Sequence, residues 1–310
     1  MDEKIKNDKP YDSAFKTVMH ECRDIIYPLL NETFGESYDA SISIEFLNEE
    51  HEDFSDADRK ENIASDTNFI VRDSNGNILG RYVYDCQSTS DNTMTVRMIR
   101  YGMRTAFENY YIDDGIVHIP FPDIAVLYLR GSGNEKIESS RIKVDFPKSS
   151  TDYDMKILRL KRYSIDELFE KKLYVLLPFA LFLFESELKK ADSDAEKLER
   201  LMNIYHEIIS RLEEARVKDD ITDYEMSEVL QLLKYVSDHL AQKYKNIVKG
   251  VDSIMGGQLL EFDTTKAYHD GENRLSKLIN MMMEKNMISE ITKVTTDSAY
   301  RNEMYKKFGI

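Results

Sequence analysis

The chain has 310 residues, of which 42% are hydrophobic and 11% aromatic, with 12 glycines and 6 prolines. This composition predicts a folded protein with a real core and excludes a disordered or low-complexity chain. The formal net charge of −15 argues against nonspecific nucleic-acid binding through overall charge. A nucleic-acid partner would therefore need a local basic groove or a bound metal ion.

No segment indicates secretion or membrane insertion. The charged N-terminal stretch lacks the apolar centre of a signal peptide. The longest apolar run, residues 173–184, contains Pro178 and falls short of the roughly 20 residues that span a bilayer. Two cysteines, Cys22 and Cys86, do not form a disulfide framework in a chain of this length. We expect a cytoplasmic protein that makes no contact with a membrane.

The first half of the sequence alternates between helical and strand periodicity. Apolar residues recur at helical spacing in two segments, and strand-like patterns occupy five. Their order, α-β-β-β-α-β-β, predicts an α/β fold with a mixed sheet flanked by helices. The helical segments are residues 12–34 and 93–111, and the strands are residues 41–47, 63–71, 79–86, 121–129 and 155–160.

After about residue 164 the sequence is almost entirely helical in pattern. It predicts four helices, with a flexible break at Gly256-Gly257. We therefore predict an α/β domain over residues 1–163 and a helical domain over residues 164–310. The predicted helices are residues 165–188, 195–216, 223–244 and 272–287.

The clearest local signal is a β-hairpin around Asn75-Gly76, a pair that favours a two-residue type I′ turn. With this turn, Ser74 faces Asn77, and the same register places Asp66 directly opposite Asp85. Facing side chains on antiparallel strands have Cβ atoms about 4.5–5.5 Å apart. Two carboxylates at that spacing suit Mg²⁺ or Mn²⁺. Gln87, two residues after Asp85, points to the same face.

A second interpretation of the hairpin stays open. A three-residue loop with Gly76 in the left-handed conformation would shift the register and misalign the aspartates. Asp66 and Asp85 would then lie near strand ends, solvated or paired with Arg59 or Arg97.

Several short motifs along the chain resemble one known family when they are taken together. They are residues 10–16, 28–35, 64–67, 84–88 and 94–101, followed by residues 163–169 and 176–179. Their order and spacing resemble those of the PD-(D/E)XK nuclease family transposases, which are related to the Rpn/YhgA-like recombination-promoting nucleases. The likeness covers roughly residues 9–185 and fades in the C-terminal helices.

The resemblance implies a restriction-endonuclease-like core, DNA as the substrate and Mg²⁺ (or Mn²⁺) as the cofactor. On the family's pattern the metal ligands are Asp66, Asp85 and the backbone carbonyl of Cys86. Gln87 occupies the position of the motif's lysine and would orient the attacking water. Asp85 stands where relatives commonly have glutamate, which brings the metal closer to the strand or requires a water between them.

Asp12 and Lys16 match the start of the family's first helix, which makes them candidate catalytic residues. Four residues apart on a helix, they would equally form a surface ion pair worth a few tenths of a kcal/mol.

Arg97, Arg100 and Arg104 share one helix face after the Gln87 strand and are candidate contacts for DNA phosphates. They could equally pair with Glu108 or with the acidic residues 49–58.

The leading hypothesis is a metal-dependent DNA endonuclease that hydrolyses phosphodiester bonds, linked to recombination or mobile elements. The alternative is a catalytically degenerate nuclease fold that acts as a non-enzymatic DNA- or protein-interaction module. Either protein could form a homo-oligomer through the helical region.

Overall fold

A computed structural model of the protein describes residues 9–47, 67–89, 93–131, 136–285, 287, 290–296 and 298–308. The strands are β1 (Ser43–Phe46), β2 (Thr67–Arg72), β3 (Ile78–Gln87), β4 (Tyr111–Asp113), β5 (Ile116–His118), β6 (Asp123–Tyr128), β7 (Ile137–Phe146) and β8 (Ser149–Arg159). The α-helices are α1 (Lys9–Glu21), α2 (Tyr27–Phe34), α3 (Met94–Glu108), α4 (Ile165–Glu170), α5 (Leu188–Ala191), α6 (Ala195–Val217), α7 (Asp223–Ala241), α8 (Lys245–Glu284), α9 (Ile291–Thr296) and α10 (Ser298–Phe308). Three 3-10 helices are Arg23–Ile25, Leu160–Arg162 and Tyr174–Glu187.

Six of these strands form one mixed sheet in the order β1-β2-β3-β6-β8-β7. The pairs β1–β2, β2–β3 and β7–β8 are antiparallel, whereas β3–β6 and β6–β8 are parallel. Because parallel neighbours need a crossover, α3 connects β3 to β6. β4 and β5 form a separate two-stranded hairpin. The predicted α/β fold, a mixed sheet with flanking helices and a C-terminal helical region, is confirmed.

The turn between β2 and β3 differs from the predicted type I′ turn. Only Gly76 has a positive φ, of 82°, and the Asp73 amide donates to the Asn77 carbonyl over 3.0 Å, which makes a three-residue loop. The Asp73 carboxylate accepts further bonds from the Asn75 and Asn77 amides and holds this loop in place. The two-residue turn was therefore wrong, and the three-residue loop with Gly76 left-handed, the alternative left open, is present. The Asp73 side chain stabilises this longer loop.

The register beyond the turn is nevertheless the one that the sequence predicts. An irregularity between Val71 and Arg72 leaves one extra residue, Leu79, on β3. This bulge offsets the longer loop, so Thr67 faces Tyr84 as the predicted pairing requires. The predicted partner of Asp85, Asp66, lies outside the described residues.

Strand β3 contributes to two separate cores because its side chains alternate between the two faces of the sheet. Tyr82, Tyr84 and Cys86 belong to the large core, which includes helix α1. Val83 belongs to a smaller core beneath α3, together with Met98 and other residues of α3, β6 and β8.

The helical region differs from its prediction in several places, one of which is that helices α9 and α10 were not predicted. Residues 165–188 are not one helix but α4, a 3-10 helix that contains Pro178, and α5. Proline lacks the amide hydrogen that an α-helix interior uses, which agrees with the change of helix type. Helix α8 runs without a break through Gly256-Gly257. Among the described residues, no helix is both long and apolar enough to cross a membrane.

The large core extends across residue 163, the boundary predicted between the two domains. The Phe15 ring of α1 lies 6.3 Å from Tyr84 of β3 and 6.3 Å from Phe179 of the long 3-10 helix, centroid to centroid. Residues of α6, α7 and α8 belong to the same cluster. The division into two domains stays a prediction.

Replacing Phe15 with alanine should lower the free energy of unfolding by about 3–5 kcal/mol, because Phe15 is fully buried where the strand and the 3-10 helix meet. Urea denaturation followed by circular dichroism measures this change. Phe146→Ala is the matched control, since Phe146 is 55% exposed and its loss should change stability by less than about 0.5 kcal/mol. Equal effects of the two variants would contradict a shared core at Phe15.

Candidate functional site

Asp85 lies near the C-terminal end of β3, between β2 and β6, and its side chain is 0% exposed. It pairs with Val126 of β6 in the parallel ladder. By the alternation of the strand, Asp85 and Gln87 face the same side as Val83, which is the side covered by α3. The position is that of a carboxylate buried between the sheet and a helix.

Among the described residues, the side chains of Gln87 and Arg97 contact the Asp85 carboxylate. The Gln87 amide donates from Nε2 to Oδ1 over 3.0 Å, and Arg97 places Nη2 3.8 Å from Oδ2. The Arg97 side chain is 38% exposed, and its Nη2 also donates to the Tyr101 hydroxyl over 3.4 Å. A buried charge requires such partners, because burial removes the water that would otherwise solvate it. The ion pair with Arg97, one of the open alternatives for Asp85, is present.

Strand β2 completes the surroundings with two buried polar residues. Asn68, 4% exposed, donates from Nδ2 to the Thr105 hydroxyl of α3 over 2.8 Å. Its side chain therefore faces α3, as that of Asp85 does. Thr67 turns to the other face, and its hydroxyl donates to the Tyr84 carbonyl over 3.3 Å. Asn68 and Thr105 were not among the predicted site residues. An amide side chain inside an otherwise buried strand was the sequence signal that could have identified Asn68.

Asp12 and Lys16 lie on α1, which contacts the Tyr84 face of β3 rather than the Asp85 face. Their charged groups are 3.5 Å apart, and both side chains are 28% exposed. The structure thus contains the i, i+4 ion pair that was one of the two interpretations. A direct catalytic role for these residues stays a prediction.

The three arginines of α3 differ in their surroundings. Arg97 contacts Asp85, whereas Arg104 forms an ion pair with Glu108 at 2.9 Å. Arg100 is exposed. Of the three, only Arg97 contacts Asp85. For Arg104 the ion pair with Glu108, which was the alternative to phosphate binding, is present.

Within the described residues, no group of three or more histidine, cysteine, aspartate or glutamate side chains could hold a metal ion. The described part of the site provides the Asp85 carboxylate, the Gln87 amide and the backbone of Cys86. The Cys86 thiol is buried in the large core on the other face, so only its carbonyl could serve as a ligand. The second carboxylate that the sequence predicts, that of Asp66, lies outside the described residues.

A second group of titratable residues lies three residues earlier in the parallel ladder, where Asp123 pairs with Tyr82. Desolvation and the nearby Glu36 carboxylate raise the pKa of Asp123. Burial also raises the pKa of Tyr82, whose hydroxyl lies 2.7 Å from that of Tyr38 and donates to Glu36 over 3.1 Å. Tyr82 is therefore neutral at physiological pH. Its hydrogen bonds connect β3 to Tyr38 and Glu36, in the segment before β1.

Comparison with known proteins gives one match. Residues 9–120 match a family described as "Putative transposase, YhgA-like". The match makes residues 9–120 similar to this family, and they are named the YhgA-like segment. No curated protein and no solved structure matches the chain.

The YhgA-like segment begins with α1 and ends just after β5. It includes Asp85, Gln87 and Arg97, and indeed every candidate site residue from Asp12 to Arg104. The resemblance to the YhgA-like family is confirmed over this segment, and its predicted continuation to about residue 185 stays a prediction.

Arg97→Met should lower the free energy of unfolding by about 1–2 kcal/mol, because it removes the cationic partner of a fully buried carboxylate. Arg104→Met is the matched control on the same helix, and loss of its exposed pair with Glu108 should cost less than about 0.5 kcal/mol. Chemical denaturation measures both changes.

Arg97→Met in an Asp85→Asn background tests whether the loss of stability comes from the Arg97–Asp85 ion pair. There, Arg97→Met should cost less than about 0.5 kcal/mol, because the charge that Arg97 neutralises is gone. An unchanged cost in that background would show that Arg97 stabilises the protein through other contacts.

Proposed function

We propose that this chain is a divalent-metal-dependent DNA endonuclease that hydrolyses phosphodiester bonds, with a role in recombination or in mobile elements. The observation that carries the proposal is the buried Asp85 carboxylate, held by the Gln87 amide, on a strand whose register is the predicted one. The description of the YhgA-like family as a transposase supports DNA as the partner.

The residues fit a hard divalent cation at the level of their chemistry. Asp85 offers a carboxylate oxygen removed from bulk water, and Asp66 and the Cys86 carbonyl would supply the other protein oxygens. When bound, Mg²⁺ or Mn²⁺ would lower the pKa of a coordinated water and neutralise charge on the phosphate. Arg97 provides the positive charge beside Asp85 in the structure described here.

Gln87 would have two tasks in this site. Its Nε2 donates to Asp85 Oδ1, which fixes the orientation of the carboxylate. Its Oε1 is an acceptor and would take a hydrogen bond from the attacking water. Glutamine lacks the positive charge of a lysine at this position, so it would orient the water without adding electrostatic stabilisation.

Arg97 would contact the substrate rather than the water. Its side chain is 38% exposed, so its guanidinium has access to solvent while one nitrogen lies near Asp85. A guanidinium in this position suits bidentate binding of a phosphate. Binding of DNA and of a cation would thus replace the Arg97–Asp85 pair by two new pairs. Arg97 would pair with a DNA phosphate, and Asp85 would bind the cation.

One observation favours a second candidate function. The Arg97–Asp85 ion pair gives a fully buried carboxylate a cationic partner from the protein itself, as a structural pair would. A chain that had lost catalysis could keep this pair and act as a DNA- or protein-interaction module. The net charge of −15 agrees with such a role.

A cleavage assay tests the proposed function. Wild-type protein with Mg²⁺ or Mn²⁺ should cut plasmid or oligonucleotide DNA, and chelator should abolish cutting. Asp66→Ala and Asp85→Ala should reduce cleavage to the chelator level, and Gln87→Ala should reduce it by about 10–100-fold. Asp12→Ala and Lys16→Ala test the roles that the resemblance implies.

Asp145→Ala is the matched control, because Asp145 is exposed on β7 outside the YhgA-like segment. It should cut DNA as the wild type does. Direct Mn²⁺ binding, followed by electron paramagnetic resonance, gives a readout that does not depend on activity. Cleavage that survives both aspartate substitutions would rule out this site, and a wild type that neither cuts DNA nor binds Mn²⁺ would favour the non-enzymatic module.

A further inference from the structure

An apolar patch covers the outward face of α3 and the β4–β5 hairpin that follows it. Its members are large hydrophobic side chains, each between 38% and 65% exposed. Such a concentration is unusual on a monomer surface and marks sites of protein association. The patch consists of Val96, Met103, Phe107, Tyr110, Tyr111, Ile112, Ile116, Val117 and Ile119.

The helix contributes a continuous apolar stripe with one cation inside it. Val96, Met103 and Phe107 recur at i, i+7 and i+11, and Arg100 lies between them at i+4. The opposite face of α3, with Met94 among its buried residues, packs on the sheet. Helix α3 therefore presents apolar residues both to the core and to the outside.

The hairpin is exposed on both of its faces. Its turn residues, Asp114 and Gly115, both have positive φ, 45° and 76°, which gives the tight type I′ geometry. Next to the turn, Asp113 pairs with Ile116, and Ile112 pairs with Val117. An isolated two-stranded hairpin is only marginally stable in water. A hairpin with exposed apolar side chains on both faces gains stability when another surface covers it.

We infer that a second copy of this chain covers the apolar patch, in a two-fold symmetric dimer. In such a dimer the same patch contacts itself, so each polar group must find its complement within the patch. The surface provides one such pair of opposite charges, since the cation Arg100 lies within the helix stripe and the acidic residue Asp113 lies at the hairpin turn. Arg100 makes no ion pair with another described residue, whereas Arg97 and Arg104 each have a carboxylate partner.

The positions along the chain agree with this arrangement. Arg100 lies in the N-terminal half of α3, and the hairpin follows the C-terminal end of the helix. Two α3 helices packed antiparallel across a two-fold axis place the C-terminal end of each helix, where the hairpin begins, alongside the N-terminal half of the other helix. Asp113 of one copy then approaches Arg100 of the other, twice per dimer.

The exposed area of the patch is comparable with one partner's share of a standard interface. At roughly 100 Å² apiece, its nine apolar side chains expose on the order of 900 Å² per copy, against about 800 Å² per partner in an interface of standard size. Because the hairpin is exposed on both faces, the proposed contact covers the helix stripe and one face of the hairpin. This interface lies in the α/β part of the chain, whereas the sequence analysis placed oligomerisation in the helical region.

Sedimentation equilibrium on the full chain, up to about 100 μM, tests the dimer. The wild type should reach twice the monomer mass of 36.2 kDa. Ile112→Asp should weaken association at least 10-fold, because it buries a charge in the apolar contact. Val217→Asp is the matched control, since Val217 is 74% exposed at the end of α6, outside the patch, and its substitution should leave association unchanged.

Two charge reversals test the identity of the partner. Arg100→Glu and Asp113→Lys should each weaken self-association about 10-fold, because each dimer then contains two like-charge contacts. An equimolar mixture of the two variants should associate as the wild type does, because both contacts are again between opposite charges. Only a second copy with the proposed pairing predicts this rescue in trans.

Circular dichroism of each variant must match that of the wild type, so that association is compared between folded chains. A wild type that stays monomeric throughout the range would overturn the proposal and leave the patch to another protein. A dimer that resists Ile112→Asp, or variants that do not rescue one another, would place the interface elsewhere.

Discussion

The C-terminal half of strand β3, from Tyr82 to Cys86, has both of its faces buried, and the positions of its neighbouring elements follow from this constraint. Its alternate residues enter the large core with α1 on one side and the smaller core beneath α3 on the other. A strand in this position needs neighbours on both edges, which β2 and β6 provide. Among the buried residues from Tyr82 to Cys86, Asp85 is the one charged side chain. Its burial is stabilised by the Gln87 amide and by Arg97 on the helix that covers it.

The register of the β2–β3 hairpin shows how a correct conclusion can rest on a local detail that is wrong. Asn75-Gly76 indicated a two-residue turn, yet the loop has three residues because the Asp73 carboxylate binds the Asn75 and Asn77 amides. Leu79 then forms a bulge that brings the paired apolar residues back to the same faces. Burial on both faces of the sheet determines the register, and the turn adapts to it. Patterns of burial were visible in the sequence, whereas the competition between side-chain and backbone hydrogen bonds was not.

Other elements and contacts could be predicted from the sequence only where residues close together in the chain determine them. Helices α6 and α7 begin where Asp194 and Thr222 cap them, close to the predicted starts. Residues 174–184 of the long 3-10 segment are apolar on all sides, so their periodicity carried no signal for the type of helix. At the site, the pairing of Asp85 with Arg97 was foreseen as an alternative. The Asn68–Thr105 bond was not, because it joins two elements 37 residues apart.

The contact between the first helix and the seventh determines when the protein can fold during synthesis. The Cys22 thiol reaches the Glu225 carbonyl at 3.8 Å, and the Tyr224 hydroxyl donates to Glu21, across more than 200 intervening residues. Until the ribosome has added α7, one side of α1 has no surface to cover it. Contacts of this sequence separation slow folding, because a long loop must close before they form. A nascent chain that ends within the sheet therefore exposes apolar surface, which chaperones recognise and which favours aggregation.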